Sequence, residues 1–209
     1  MLERIFVAGT DTGVGKTWIT KQIVMHLRDQ GLKVSARKPV QSFDPTDATT
    51  DADELAAATG EPVDRVCPKH RSYAVPLAPP MAAEQLDREP IALAELVAET
   101  HFEPGVMSFI EGVGGLRSPL ADDADSVDLC FALGAELVLL VSDSGLGSIN
   151  RVHLSAAAVK DLPLLVVLNR YDAADETHRL NRDWLVDDGL DLVTSTEEAA
   201  QRILRRHAL

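Results

Sequence analysis

Residues 9–17 read Gly9-Thr10-Asp11-Thr12-Gly13-Val14-Gly15-Lys16-Thr17, between the apolar run Ile5-Phe6-Val7-Ala8 and a segment in which Ile19, Ile23 and Leu27 recur at helical spacing. Strand, glycine loop, helix is the order in which a glycine-rich string becomes a cradle for phosphate. The loop's backbone N–H groups and the uncapped start of the helix present donors and a positive dipole end to an anion. Within this frame Gly13, Val14 and Gly15 shape the cradle, Lys16 reaches the outer phosphates and the Thr17 hydroxyl is suited to Mg²⁺. Thr10 stands where the strict spacing has its first glycine. The stretch is read as a nucleotide-phosphate site, and the rest of the chain is read outward from it.

The 209 residues suit one domain, 1–209, with a substantial core. Apolar residues make up 45% and aromatics 4%, so that core is expected to be aliphatic. A formal charge of −13, without a basic run, argues against nucleic acid or an anionic membrane as partner. An anionic ligand then needs a local positive site, which draws notice to Lys16 and Lys38. The first apolar run is too short for a signal peptide, and no apolar stretch approaches spanning length, so a soluble cytoplasmic protein is expected. Cys67 and Cys130 have neither metal-ligand nor redox spacing, and Cys130 sits in an apolar run like a core residue.

Strand-like runs occur at 5–8, 33–36, 106–110, 137–141 and 164–168, with a weaker one at 190–193. Helical spacing separates several of them, at Leu93, Leu96 and Val97, and at Ile149, Val152, Ala156 and Val159. Ser195 and Glu198 form a capping-box pattern ahead of a last helix. Near-continuous apolar strands alternating with helices predict an α/β fold with a mainly parallel sheet covered on both faces. Ligands of such sheets sit at the carboxyl ends of the strands, and the polar residues there are the natural candidates. The connection from Gln41 to Pro90, with seven prolines, is long enough to be functional.

Lys38 follows the second strand and reads either as a second charge above the phosphates or as a surface lysine. Glu111 ends the third strand, before Gly112, Gly114 and Gly115, and suits a direct or indirect Mg²⁺ role. Asp51 and Asp53 open a helix around Leu55; Thr50 and Asp53 have capping-box spacing, so Asp51 is the freer metal candidate, with Asp47 also open. Gly147, Ser148, Ile149 and Asn150 begin a helix after the fourth strand, and locally Ser148 reads as an ordinary N-cap rather than part of an anion cradle. Asn169 ends the fifth strand and either reads a base edge or shapes a turn.

Taken together, residues 9–17, Lys38-Pro39-Val40-Gln41-Ser42, the stretch from Pro76 to Glu84, Glu111–Leu116, Ser118–Leu120 and Leu146–Asn150 resemble the dethiobiotin synthetases, in order and spacing, over about residues 4–170. The resemblance implies a P-loop NTPase fold and an ATP-dependent ligase. Its substrates would be 7,8-diaminononanoate, CO₂ and MgATP; a carbamate on one amine is phosphorylated, and the second amine closes a cyclic urea with release of ADP and phosphate. By the same resemblance Lys16 and Lys38 serve the phosphates and carbamate, and Thr12 and Ser42 hold the diamine or carbamate end. Thr17, Asp51 and Glu111 serve Mg²⁺, and Asn169 contacts adenine. It further implies a homodimer in which the helix start at Gly147, Ser148, Ile149 and Asn150 receives the substrate carboxylate across the interface, so that this segment is more than a cap.

Three departures from the family pattern stand out. Leu192-Val193-Thr194-Ser195-Thr196 replaces a Leu-Gly-x-x-Pro segment that helps bind the base, Phe43 occupies a usual glycine position beside the diamine, and Arg151 replaces a frequent histidine. They keep open a related ligase acting on another amine or carboxylate. A partitioning-type switch ATPase is the competitor from another class, but those proteins carry a lysine where Asp11 stands. A non-catalytic binding module fits least, because both lysines and the metal acids are present.

Overall fold

A computed structural model of the chain describes residues 3–208; Met1, Leu2 and Leu209, within the 1–209 domain expected from length, lie outside the described residues. The strands are β1 (Arg4–Gly9), β2 (Val34–Arg37), β3 (Gln41–Ser42), β4 (Ser72–Tyr73), β5 (Met107–Glu111), β6 (Pro119–Ala121), β7 (Ala124–Asp125), β8 (Leu137–Asp143), β9 (Leu164–Asn169) and β10 (Leu192–Val193). The helices are α1 (Lys16–Asp29), α2 (Asp51–Thr59), α3 (Val63–Val66), α4 (Pro79–Gln85), α5 (Leu93–Glu99), α6 (Ser126–Ala132), α7 (Ser148–Ala158), α8 (Glu176–Asp187) and α9 (Thr196–His207).

Six strands form one parallel sheet in the order β10-β9-β8-β1-β5-β2. Alternation along each strand splits the core in two. Ile5, Val7, Phe109, Leu139, Val141 and Val167 face α1 and α9, meeting Ile19, Ile23, Leu27, Ala199 and Ile203. Phe6, Ala8, Ile110, Val138, Leu140 and Leu168 face the other way, onto Leu96, Leu129, Val152 and Leu185. A parallel sheet needs both faces covered, and this one has an aliphatic layer on each. The α/β architecture and all six expected strands are therefore present, with ends shifted by a residue or two.

Sequence reading misplaces some details. The 41–90 connection carries β3, α2, α3, β4 and α4 rather than open loop, and β3 pairs with β4 in a two-residue parallel ladder. Helix α8 has no counterpart among the expected elements. Ser195 caps α9 through the Glu198 N–H, but Glu198 returns to the N–H of Thr194 rather than to that of Ser195. Ser148, by contrast, does not cap α7: the cap is Gly147, in a left-handed conformation (φ 87°), and Ser148 is the first helical residue. Among the described residues no helix is long and apolar enough to cross a membrane.

The sheet positions the site directly. Strand β1 lies between β5 and β8, where the strand order turns, and ligands bind in the crevice at such a turn. The glycine loop, Lys38, Glu111, Asp143 and Asn169 all follow or end strands on that one edge.

Candidate active site

The glycine loop runs from Thr10, whose N–H donates to the Val141 carbonyl, to Gly15, the left-handed N-cap of α1 (φ 96°). No side chain caps α1, so its first-turn amides stay available to an anion. Lys16, 8% exposed, donates through Nζ to the Gly114 carbonyl at 2.9 Å, and so bridges the loop after β1 to the loop after β5.

Beneath the loop four side chains from four elements meet. Thr17 Oγ1 lies 2.7 Å from Asp51 Oδ1 and 2.9 Å from Glu111 Oε1. Lys38 Nζ donates to Asp51 Oδ2 at 2.8 Å, Glu111 Oε1 at 2.7 Å and the Gly112 carbonyl at 3.1 Å, so all three of its protons are used. Lys38 is 2% exposed, and the surface reading of this residue is thereby corrected: a buried lysine persists because two carboxylates face it. The Thr50–Asp53 capping box forms, which commits Asp53 to backbone and leaves Asp51 to turn toward Thr17. Asp47 borders the cavity but touches none of these groups.

Burial works against the Lys38 charge, but Asp51 and Glu111 outweigh it and the pKa ends raised. The Lys38 charge holds the Asp51 carboxyl at about 2 despite burial. Burial, then the charge of Lys38, lowers the Lys16 ammonium, while Glu111 and Asp51 oppose that fall. The two lysines thus repel each other across the site and are held there by the acids.

Above this group opens a cavity of about 780 Å³. Thr12, Gly13, Gly15, Lys16, Thr17, Lys38, Ser42 and Asp51 border it, together with Phe43, Leu77 and Pro79. Ser42 Oγ donates to the Leu77 carbonyl at 2.5 Å. On the other side of the loop a second cavity, of about 700 Å³, is bordered by Gly15, Trp18, Gln22, Asn169, Arg170, Tyr171 and Thr194–Glu197. Asn169 Nδ2 donates to the Val14 carbonyl at 2.8 Å and its Oδ1 accepts from the Arg170 N–H, so it holds the loop as well as facing that cavity. Gly147, Ser148, Ile149 and Asn150 border neither cavity. Ser148 Oγ and Arg151 Nε are nonetheless buried without hydrogen-bond partners, beside the Arg151–Asp143 ion pair. Sequence reading missed Trp18, Arg170 and Tyr171. The only signal for them was adjacency to Thr17 and Asn169.

Among the described residues no three His, Cys, Asp or Glu side chains gather as a metal cage. Two carboxylates and a hydroxyl at hydrogen-bond distance suit Mg²⁺, which is held by one or two carboxylates with substrate phosphates and water. Cys67 and Cys130 are both buried and unpaired, and burial pushes each thiol up to about 12.

A parallel sheet with this loop at its turning point, and with lysine, threonine and acids converging beneath it, defines a P-loop nucleotide-binding protein. The model of the family described as "AAA domain" matches residues 3–202. The chain is 38% identical over 179 residues to the ATP-dependent dethiobiotin synthetase BioD of Anaeromyxobacter dehalogenans strain 2CP-C, a match covering 82% of this chain and 78% of that one. It is 39% identical over 182 residues to BioD of Haloferax mediterranei, with coverages of 84% and 75%. The chain belongs to the ATP-dependent dethiobiotin synthetase family. Among solved structures, the septum site-determining protein MinD of Pyrococcus horikoshii with Mg-ADP aligns with a TM-score of 0.55 at 19% identity, over 93% of this chain and 79% of that one. A plasmid partition protein of Borrelia burgdorferi aligns at 0.57 and 13%, over 99% and 100%. At those identities the likeness is one of fold.

Proposed function

We propose that the chain, as one ligase domain over 1–209, converts 7,8-diaminononanoate, CO₂ and ATP to dethiobiotin, ADP and phosphate, by way of a carbamate and a carbamic-phosphoric anhydride. The observation that carries this reading is the Lys38–Asp51–Glu111–Thr17 group under a phosphate loop, with Lys38 and Glu111 buried, in a chain 38% identical to a dethiobiotin synthetase. The reaction needs no covalent nucleophile from the protein. It needs carbamate and γ-phosphate held in line, with positive charge where the phosphoryl group moves. Gly13, Val14, Gly15 and Lys16 hold the phosphates. Lys16 and Lys38 stabilise the charge that develops between carbamate and phosphate. Thr12 and Ser42, on the wall of the larger cavity, orient the diamine. Thr17, Asp51 and Glu111 supply the protein oxygens for Mg²⁺, which neutralises phosphate charge when bound. Asn169 fixes the loop and borders the base. A cytoplasmic location goes with substrates that are small and soluble.

The reading includes a homodimer. The orphaned Ser148 hydroxyl at the start of α7 supports a carboxylate site there, and since this segment borders neither cavity, the diamine chain would reach it from a second protomer. Ser148→Ala is expected to raise the KM for the diamine about tenfold, the loss of one hydrogen bond to a charged group, with kcat nearly unchanged. The methyl ester of the diamine should not sense the substitution. A KM equally raised for both would place the carboxylate elsewhere.

The direct test is phosphate release from MgATP and bicarbonate with and without the diamine. Release should depend on the diamine, and Lys16→Ala should reduce it about 10³-fold. Hydrolysis that ignores the diamine overturns the ligase reading. Phe43, on the cavity wall beside Leu77, favours a second reading, a ligase for a differently shaped amine. Release driven by another vicinal diamine but not by 7,8-diaminononanoate would select it.

A further inference from the structure

Trp18 follows Thr17 in the first turn of α1, is 54% exposed, and borders both cavities. Tryptophan is highly buried on average, and an indole left half open beside a phosphate loop offers its face to a ligand. The smaller cavity supplies the setting, since it runs from Gly15 and Trp18 to Asn169 and Tyr171, one loop's width from the phosphate cradle. A nucleotide whose phosphates lie on Gly13–Thr17 puts its base there.

What could read the edge of that base both donates and accepts. Asn169 spends one amide hydrogen on the Val14 carbonyl and one oxygen lone pair on the Arg170 N–H, which leaves it one donor and one acceptor. The Ser195 hydroxyl caps α9 by accepting from Glu198 and keeps its proton to donate, the Thr196 hydroxyl donates to Glu197 and keeps its lone pairs to accept, and the Thr194 hydroxyl on the same wall can do either. Arg170 donates to the Gly13 carbonyl. Gln22 and Glu197 also border the cavity, but they sit on long side chains whose rotamers adapt to either kind of edge at an entropic cost. The Tyr171 hydroxyl is buried, so it does not read an edge within the open cavity. A stacking face whose edge groups can either donate or accept discriminates little between edges and binds bases by their π-surface, which purines and pyrimidines share.

We propose that Trp18 is the platform on which the base of the nucleotide stacks, and that this chain therefore uses purine and pyrimidine triphosphates with similar efficiency. The proposal rests on the nucleotide-binding part of the reading above but not on the identity of the diamine. Trp18 and Trp184 are the two tryptophans, so Trp184→Phe leaves indole fluorescence to Trp18 alone. In that variant ADP, GDP and CDP should each change the Trp18 emission, with dissociation constants within about tenfold of one another. By calorimetry on the full chain, Trp18→Ala should weaken all three at least tenfold and leave inorganic tripolyphosphate binding unchanged, while Trp18→Phe retains most of the affinity. A preference for ADP above about 100-fold would overturn base tolerance. An equal loss of tripolyphosphate and nucleotide affinity in Trp18→Ala, or no loss of either, would overturn the stacking role. These titrations contain no diamine, so a failed ring-closure assay with similar binding of the three diphosphates faults the substrate assignment and not this one.

Discussion

Lys38→Met is expected to lower turnover about 10³-fold and Tm by roughly 10 °C, the largest combined loss expected from a single side chain at the site. The stability loss follows from burial. Lys38 is 2% exposed and neutralises Asp51 and Glu111, and the Glu111 side chain is fully buried. Removing one member of a buried ion pair leaves an uncompensated charge and costs about 3–5 kcal/mol. In a chain of this size each kcal/mol moves Tm by about 2–4 °C. The activity loss has a separate origin, the missing positive charge where carbamate and phosphate meet, for which about 10³-fold in kcat is expected. A second substitution separates the two effects. Lys38→Met with Glu111→Gln removes both buried charges of the closer pair, so thermal unfolding should recover at least half of the lost Tm while phosphate release stays at background. Unchanged Tm in the single variant would mean that Lys38 is not the counter-ion of the buried Glu111.

The parts of this arrangement that could be read in the sequence are those fixed by local chemistry. Strands β1, β5, β8 and β9 are buried on both faces, so each reads as a near-continuous apolar run, unbroken at Leu137–Val141 and interrupted in β5 only by Ser108. The glycine loop declares itself because backbone conformation and phosphate contact both constrain residue type within nine positions. Asp51 could be preferred over Asp53 because Thr50 and Asp53 already had a capping task, and that box forms. What local chemistry does not encode stayed hidden. Helix α8 buries only Asn181 and Leu185 in a polar sequence, leaving no clean apolar period, while Leu180 and Trp184 point outward. The ladders β3–β4 and β6–β7 are two or three residues long and owe their existence to the loops around them. Lys38 looked like any strand-end lysine because its partners lie 13 and 73 residues away. Ser148 reads as a cap by residue type, but Gly147 takes the left-handed cap position and leaves the serine as the first helical residue.

Gly15→Ala should remove nucleotide binding, and the contrast with Gly13→Ala shows why. Both glycines have positive φ, 96° and 73°, so alanine at either pays a backbone strain of about 1–2 kcal/mol. Beyond that the two sites differ. A Cβ at Gly13 meets nothing within 4 Å, whereas one at Gly15 stands 2.2 Å from Asn169 Nδ2. That amide is not free to retreat, because it donates to the Val14 carbonyl and ties β9 to the loop. Alanine at 15 must therefore either expel Asn169 or unwind the loop, and both outcomes move the amides that face the phosphates. Calorimetric affinity for ADP is expected to fall at least 100-fold in Gly15→Ala, with Tm lowered further than in Gly13→Ala. Adding Asn169→Ala supplies the missing space. The double variant should regain Tm relative to Gly15→Ala, up to the strain that φ alone imposes. If Gly15→Ala binds ADP as tightly as the unsubstituted chain, Asn169 is not the strut that sets the loop.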